Sequence, residues 1–319
     1  MPYFQGAEKL FLTVYIITFV TGLPLNIMAL CILVKKCSQK IVPVDILLFN
    51  LTISDLLLLF FLPFRMAEAA SGMRWLIPYV FCPLSAFMYF SSIYITSLFL
   101  MAISVERYLA VAFPIKYKLL RKPIYSVVAS VIIWVTATAH CSIVYIVEHF
   151  VTDNMTIVNM TACYDTFSPI QLQVLLPVRF EICLLLYCGP LVVTVFCYTN
   201  FVRILSMQPR IKKKRKLRAI GLSVATMITF MVCFLPYNVS HIVGFIEGES
   251  PKWRVYALLL STFNASMDPI IFYFSCGSLK KICFQGMVQL IKKLHLGTKL
   301  SHNFITQCEK EADNSIASS

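Results

Sequence analysis

Seven apolar runs, each long enough to cross a bilayer, constrain what this chain can become. A hydrocarbon core about 30 Å thick takes roughly 20 apolar residues of helix. The runs fall near 10–34, 44–67, 82–108, 123–147, 177–205, 217–245 and 254–275. In lipid every backbone N–H and C=O needs a partner within the protein, so only helices and closed barrels span. Uninterrupted apolar runs of this length are helices. The expected fold class is an all-α membrane protein, a seven-transmembrane helix bundle. Composition agrees, with 59% apolar and 13% charged residues against about 25% charged in soluble proteins. The net charge of +13 would suggest nucleic acid in a soluble chain. Here the cations lie between the apolar runs, so no nucleic-acid partner is expected. The first run, Leu10 to Val34, is too long for the core of a cleavable signal and reads as an anchor.

The connections set the orientation. Lys35, Lys36 and Lys40 follow the first run; Lys116, Lys118, Arg121 and Lys122 follow the third; a basic stretch from Arg210 to Arg218 follows the fifth. The alternate connections are poor in base, and basic loops stay cytoplasmic. The expected organisation is an extracellular N-terminus (1–9), a seven-helix domain (10–277), an interfacial helix (278–294) and a disordered cytoplasmic tail (295–319). Leu279, Ile282 and Cys283 share one face of that helix; Cys283 is either a palmitoylation site or a plain apolar thiol. Glycosylation sequons begin at Asn50, Asn154, Asn159, Asn238 and Asn264, of which only Asn154 and Asn159 fall outside the membrane.

Charge inside the apolar runs is costly and points to function. Asp55 is a carboxylate in mid-run. Glu106 and Arg107 close the third run, where interfacial snorkelling is the plain alternative. His140, Arg179, His241 and Arg254 lie near the outer ends of the last four runs. Spacing alone allows snorkelling arginines and internally satisfied histidines. It equally allows an anion site, because a guanidinium grips a carboxylate with two hydrogen bonds.

Marker residues in every run resemble the rhodopsin-like G-protein-coupled receptors. They are Gly22-Leu-Pro-Leu-Asn26, Leu51-Thr-Ile-Ser-Asp55, Glu106-Arg107-Tyr108 with Pro114, Trp134, Pro190 with Tyr198, Cys233-Phe-Leu-Pro236 and Asp268-Pro-Ile-Ile-Phe272. The resemblance implies a plasma-membrane receptor, with a heterotrimeric G protein and arrestin as cytoplasmic partners and membrane lipids around it. It assigns Glu106, Arg107, Tyr108, Pro114 and Ile115 to G-protein coupling, and Cys82 and Cys163 to a disulfide. It makes Asp55, Thr96, Asn264 and Asp268 a polar core able to hold a sodium ion; no other cofactor is implied. Two departures stand out. Phe234 occupies the usual Trp position, and Asp268 and Phe272 stand where that family carries Asn and Tyr.

Four segments, Ala139-His-Cys-Ser142, Leu176-Pro-Val-Arg179, Pro236-Tyr-Asn-Val-Ser-His241 and Gly248-Glu-Ser-Pro251, are similar to the short-chain free fatty acid receptors. That resemblance implies that His140, Arg179, His241 and Arg254 hold a ligand carboxylate, supported by Tyr237, with Phe90 below. Glu68, Asp165 and Glu181 are acids expected to occupy the arginines when no ligand is bound. The expected function is a receptor for acetate, propionate and butyrate. The alternatives are a receptor for another anion (a hydroxy acid, a longer fatty acid or a nucleotide) and an anion transporter. Neither an internal repeat nor a pair of broken helices supports a transporter. No His-Glu-x-x-His or Gly-x-Ser-x-Gly supports an enzyme.

Overall fold

The computed structural model describes residues 7–39, 41–120, 122–150, 163–164, 167–209 and 211–275. Asn154, Asn159, Asp165, Cys283, the interfacial helix expected at 278–294 and the tail lie outside the described residues. Every contact below lies within the unit that ends at Phe272.

Among the described residues the regular elements are helices. They are α1 (Ala7–Gln39), α2 (Pro43–Ala70), α3 (Phe81–Ala112), α4 (Pro114–Leu120), α5 (Pro123–Cys141), α6 (Ile143–Phe150), α7 (Pro169–Cys183), a π turn (Leu184–Cys188), α8 (Gly189–Met207), α9 (Lys213–Glu247), α10 (Arg254–Thr262) and α11 (Asn264–Ser275). Six spans are long and apolar enough to cross a membrane; α10 and α11 make the seventh. In α3, 78% of the most apolar 18-residue window is buried, against 28–44% in the other five. The helix that carries Glu106-Arg107-Tyr108 is therefore the central one, and its neighbours leave more of their apolar surface exposed.

Prolines inside these helices leave carbonyls without their N–H partner, and at Pro190 and Pro269 polar side chains from other helices supply it. In α-helical register Leu186 C=O would take the N–H of residue 190, which is Pro190. Ser97 Oγ of α3 donates to it instead, at 2.8 Å. The adjacent π turn, closed by Gly189 N–H onto Leu184 C=O, absorbs the extra residue. Likewise Pro269 cannot bond Ala265 C=O, and Asn26 of α1 donates to that oxygen at 2.7 Å. Asn26 and Pro269 of the sequence motifs are thus two halves of one backbone repair.

The fifth span begins at Pro169, eight residues before the expected start at 177. Ser168 and Gln171 form a reciprocal capping box, with Pro169 at the first helical position, and Pro177 is carried inside the helix. The signal was in the sequence as Ser-Pro-x-Gln; Pro177 masked it.

Candidate functional site

At one end of the bundle the chain brings two arginines onto one ring. Arg179 on α7 is 6% exposed and Arg254, at the start of α10, is 3% exposed. The guanidinium of Arg179 lies 4.8 Å from the centroid of Phe167, and that of Arg254 6.0 Å from the same centroid. Burial strengthens their mutual repulsion, and the ring faces offset only part of it, at about 0.5–2 kcal/mol per cation. Arg179 Nη1 donates to Ser250 Oγ at 3.3 Å. Its Nη2 is buried without a hydrogen-bond partner among the described residues.

The turn between α9 and α10 sets both contacts. Gly248 adopts φ +74°, a left-handed conformation that ends α9 and suits glycine. A Cβ on Gly244 would meet Glu249 C=O at 3.0 Å and Pro251 Cδ at 3.1 Å. The chain therefore folds back tightly enough to aim Ser250 at Arg179 and to start α10 at Arg254.

Below the arginines the wall is aromatic. Tyr237 lies within hydrogen-bonding reach of Arg254. Its ring is parallel to Phe90 at 6.2 Å and edge-on to His241 at 4.5 Å. His241 Nε2 and Tyr94 Oη are 3.1 Å apart. Tyr164, with φ +57°, bridges Phe90 at 5.5 Å and Phe167 at 4.9 Å. The structure thus gathers Arg179, Arg254, His241, Tyr237 and Phe90. Tyr94, Tyr164 and Phe167 join them, and sequence reasoning had missed all three. Loop aromatics carry no periodicity that would have flagged Tyr164 and Phe167, and Tyr94 is one aromatic among many in a long membrane-spanning run.

His140 stands apart from that group. Its Nδ1 is 2.7 Å from Thr136 C=O, and its Nε2 is 3.6 Å from Glu181 Oε1. The expectation that Glu68 and Glu181 neutralise the site arginines is corrected accordingly. Glu181 faces His140. Glu68 pairs with Arg65 at 2.9 Å, at i,i+3 on α2.

Cys82 and Cys163 are joined in a disulfide, with Cα atoms 5.6 Å apart. The bond ties the loop carrying Tyr164 and Phe167 to the top of α3. Removing a structural disulfide costs about 2–5 kcal/mol. Cys82→Ala is expected to lower surface expression or ligand response strongly. Both thiols labelling freely in the folded, unreduced protein would show that the bond is not formed.

In the bundle interior Asp55 is buried, and its Oδ2 has no hydrogen-bond partner among the described residues. It is repelled by Asp268, which accepts a 2.7 Å bond from Asn264 Nδ2. Asn264 Oδ1 is also buried and unpartnered, and Thr96 is buried on α3. The buried, unpartnered oxygens of Asp55 and Asn264, with the Asp268 carboxylate that repels Asp55, fit a small hard cation such as sodium, which binds oxygen ligands and would offset the repulsion.

At the opposite end of the bundle Glu106 accepts a 2.5 Å hydrogen bond from Tyr117 of α4. The acid is therefore held by the short helix that follows α3. Arg107 Nη1 is buried without a partner among the described residues. Tyr108 packs edge-on against Phe113 and Phe196. Ile115, one residue into α4, is 76% exposed.

The sequence profile of the 7 transmembrane receptor (rhodopsin family) matches residues 25–272. Free fatty acid receptor 3 of Mus musculus is 49% identical over 290 residues, 91% of this chain and 90% of that protein. The chain belongs to the free fatty acid receptor group of the rhodopsin family. Free fatty acid receptor 2 of Rattus norvegicus is 48% identical over 89% of this chain and 86% of its own. Free fatty acid receptor 1 of Rattus norvegicus is 31% identical over 82% of this chain and 90% of its own. The protein is thus a multi-pass membrane G-protein-coupled receptor and not an enzyme. Its Cys82–Cys163 bond, its Glu106-Arg107-Tyr108 end and its arginine pair are parts of a receptor.

Proposed function

We propose that this receptor is activated by short aliphatic monocarboxylates, acetate to butyrate, and signals through a heterotrimeric G protein at the plasma membrane, with its N-terminus outside. The observation that carries the reading is the Arg179–Arg254 pair. Two buried cations repel each other on one aromatic ring, and Arg179 Nη2 is buried without a partner among the described residues. A carboxylate supplies the missing acceptors and the missing charge together. His241 and Tyr237 donate beside it, and Phe90 floors the space for a short tail. His140 acts through Glu181, at the rim. The three relatives above are named for free fatty acids, which supports the same ligand class.

Activation follows from the elements that carry these groups. The anion draws α7 and α10 toward each other, and α9 lies between them, carrying His241 and Pro236. A shift of α9 at Pro236 passes to the cytoplasmic end, where Arg107 and Ile115 meet the G protein. Asp55, Thr96, Asn264 and Asp268 would hold a sodium ion, which supplies positive charge to the buried carboxylates and so steadies the resting packing. Arrestin is proposed as a second cytoplasmic partner, and Asn154 and Asn159 as glycan acceptors.

The ligand is small, which bounds affinity. The best tiny ligands reach about 1.5 kcal/mol per heavy atom; propionate has about five, so roughly 7 kcal/mol is a ceiling, near 10 μM. G-protein activation by acetate through hexanoate, with propionamide and lactate alongside, tests the reading. Propionate is expected to act at concentrations above that ceiling, and propionamide to be nearly silent. Equal responses to propionamide and propionate would remove the carboxylate from the mechanism.

A further inference from the structure

Next to the arginine cluster a cavity of about 40 Å³ opens between α1, α2, α3 and α10. Tyr15, Arg65, Glu68, Tyr89, Arg254 and Leu258 are among its walls. A water needs roughly 10–15 Å³ measured this way, so the space admits about three such groups, the size of one carboxylate. Arg254 belongs to both compartments: it lies over Phe167 and also borders this cavity. A second guanidinium, Arg65, stands in the same walls.

Arg65 is already engaged. Its Nη1 is 2.9 Å from Glu68 Oε2 and donates to Cys163 C=O at 3.2 Å. The other oxygen of Glu68 accepts from Cys163 N–H at 2.7 Å. Glu68 is 4% exposed. One acid therefore does two things: it neutralises Arg65, and it holds the backbone of the disulfide-bonded loop residue.

We propose that Glu68 is a specificity-determining residue, which closes this cavity to a second carboxylate and so restricts the receptor to monocarboxylic acids. A dicarboxylate anchored on Arg179 and Arg254 would place its far carboxylate in the cavity beside buried Glu68. Like charges at short range in a partly dry space repel strongly. Arg65, the other cation in those walls among the described residues, is paired, and freeing it leaves the buried Glu68 charge without its counter-ion. Without the Glu68 charge the same cavity presents Arg65 to a second anion and becomes a dicarboxylate subsite. This inference rests on the carboxylate reading above and deepens it.

Glu68→Gln separates the two roles. Glutamine keeps a carbonyl oxygen for Cys163 N–H, so the loop clamp stays, but it loses the charge. At matched surface expression the parent should respond to succinate and glutarate at least a hundredfold more weakly than to propionate. In Glu68→Gln that gap should narrow at least tenfold, with propionate potency within threefold of the parent. The gain should vanish in Arg65→Gln/Glu68→Gln. If the glutamine variant fails to reach the surface, Glu68→Asn, uncharged and still offering an amide oxygen, carries the same expectation. Arg179→Ala is assayed with propionate in parallel. A normal response there overturns the carboxylate reading itself. Loss of response there, with either Glu68 variant still blind to dicarboxylates, overturns this inference alone, as does a gain that survives removal of Arg65.

Discussion

Arg179→Ala should shift the potency of propionate by at least tenfold at equal surface expression, and Arg179→Lys should recover little of it. A hydrogen bond to a charged group contributes about 1.5–3 kcal/mol net, and a factor of ten corresponds to about 1.4 kcal/mol. Arg179 reaches Ser250 through Nη1, while Nη2 is buried and unpartnered among the described residues. Its planar fork offers both nitrogens to one carboxylate. Lysine is a point charge without that fork and stacks less well on Phe167. Alanine also removes the repulsion with Arg254, so the folded protein loses little stability, and the empty receptor should express normally. The effect then belongs to ligand recognition. A propionate dose–response curve for Arg179→Ala that overlays the parent would place the carboxylate elsewhere.

How much of this was legible in the sequence follows from what each feature costs. Arg179 and Arg254 stood out because a guanidinium in an apolar run demands an explanation. Their convergence on one ring did not, because Phe167 lies in a loop whose residues obey no period. The helix boundaries were legible where the apolar run ended in charge, and illegible at Pro169, where a proline eight residues further on suggested a later start. The interruption of span seven at Phe263 is likewise a local event. Ser261 and Thr262 bond the carbonyls of Leu258 and Leu259 at 2.6 Å, and such short-range back-bonding competes with the helix ladder. Glu68 shows the converse. Its i,i+3 spacing from Arg65 was readable, but an acid near an arginine-rich site invited assignment to the ligand arginines. His140 was placed with the carboxylate by resemblance, and its Nε2 lies 3.6 Å from Glu181 Oε1.

Arg107→Ala should preserve ligand binding and abolish agonist-driven nucleotide exchange on the G protein. In many arrangements of an acid beside an arginine the two would pair, and breaking that pair would loosen the resting state. Here Glu106 is taken by Tyr117 of α4, and Arg107 Nη1 is buried without a partner among the described residues. The cation is thus held by packing rather than by a strong ion pair, and little opposes its turning to a new acceptor once α9 moves. A partner backbone carbonyl meeting that guanidinium gains a charge-assisted bond of about 1.5–3 kcal/mol. That is a 10–100-fold effect on the productive complex, enough to silence signalling at ordinary receptor density. The ligand cluster lies at the opposite end of the bundle, so competition binding at Arg179 and Arg254 should be unchanged within threefold. Tyr117→Phe provides the comparison. It frees Glu106 to pair with Arg107, and it should lower exchange without abolishing it. Undiminished exchange in Arg107→Ala, at equal expression and saturating propionate, would mean that the G protein reads a different face, with exposed Ile115 of α4 the first surface to examine.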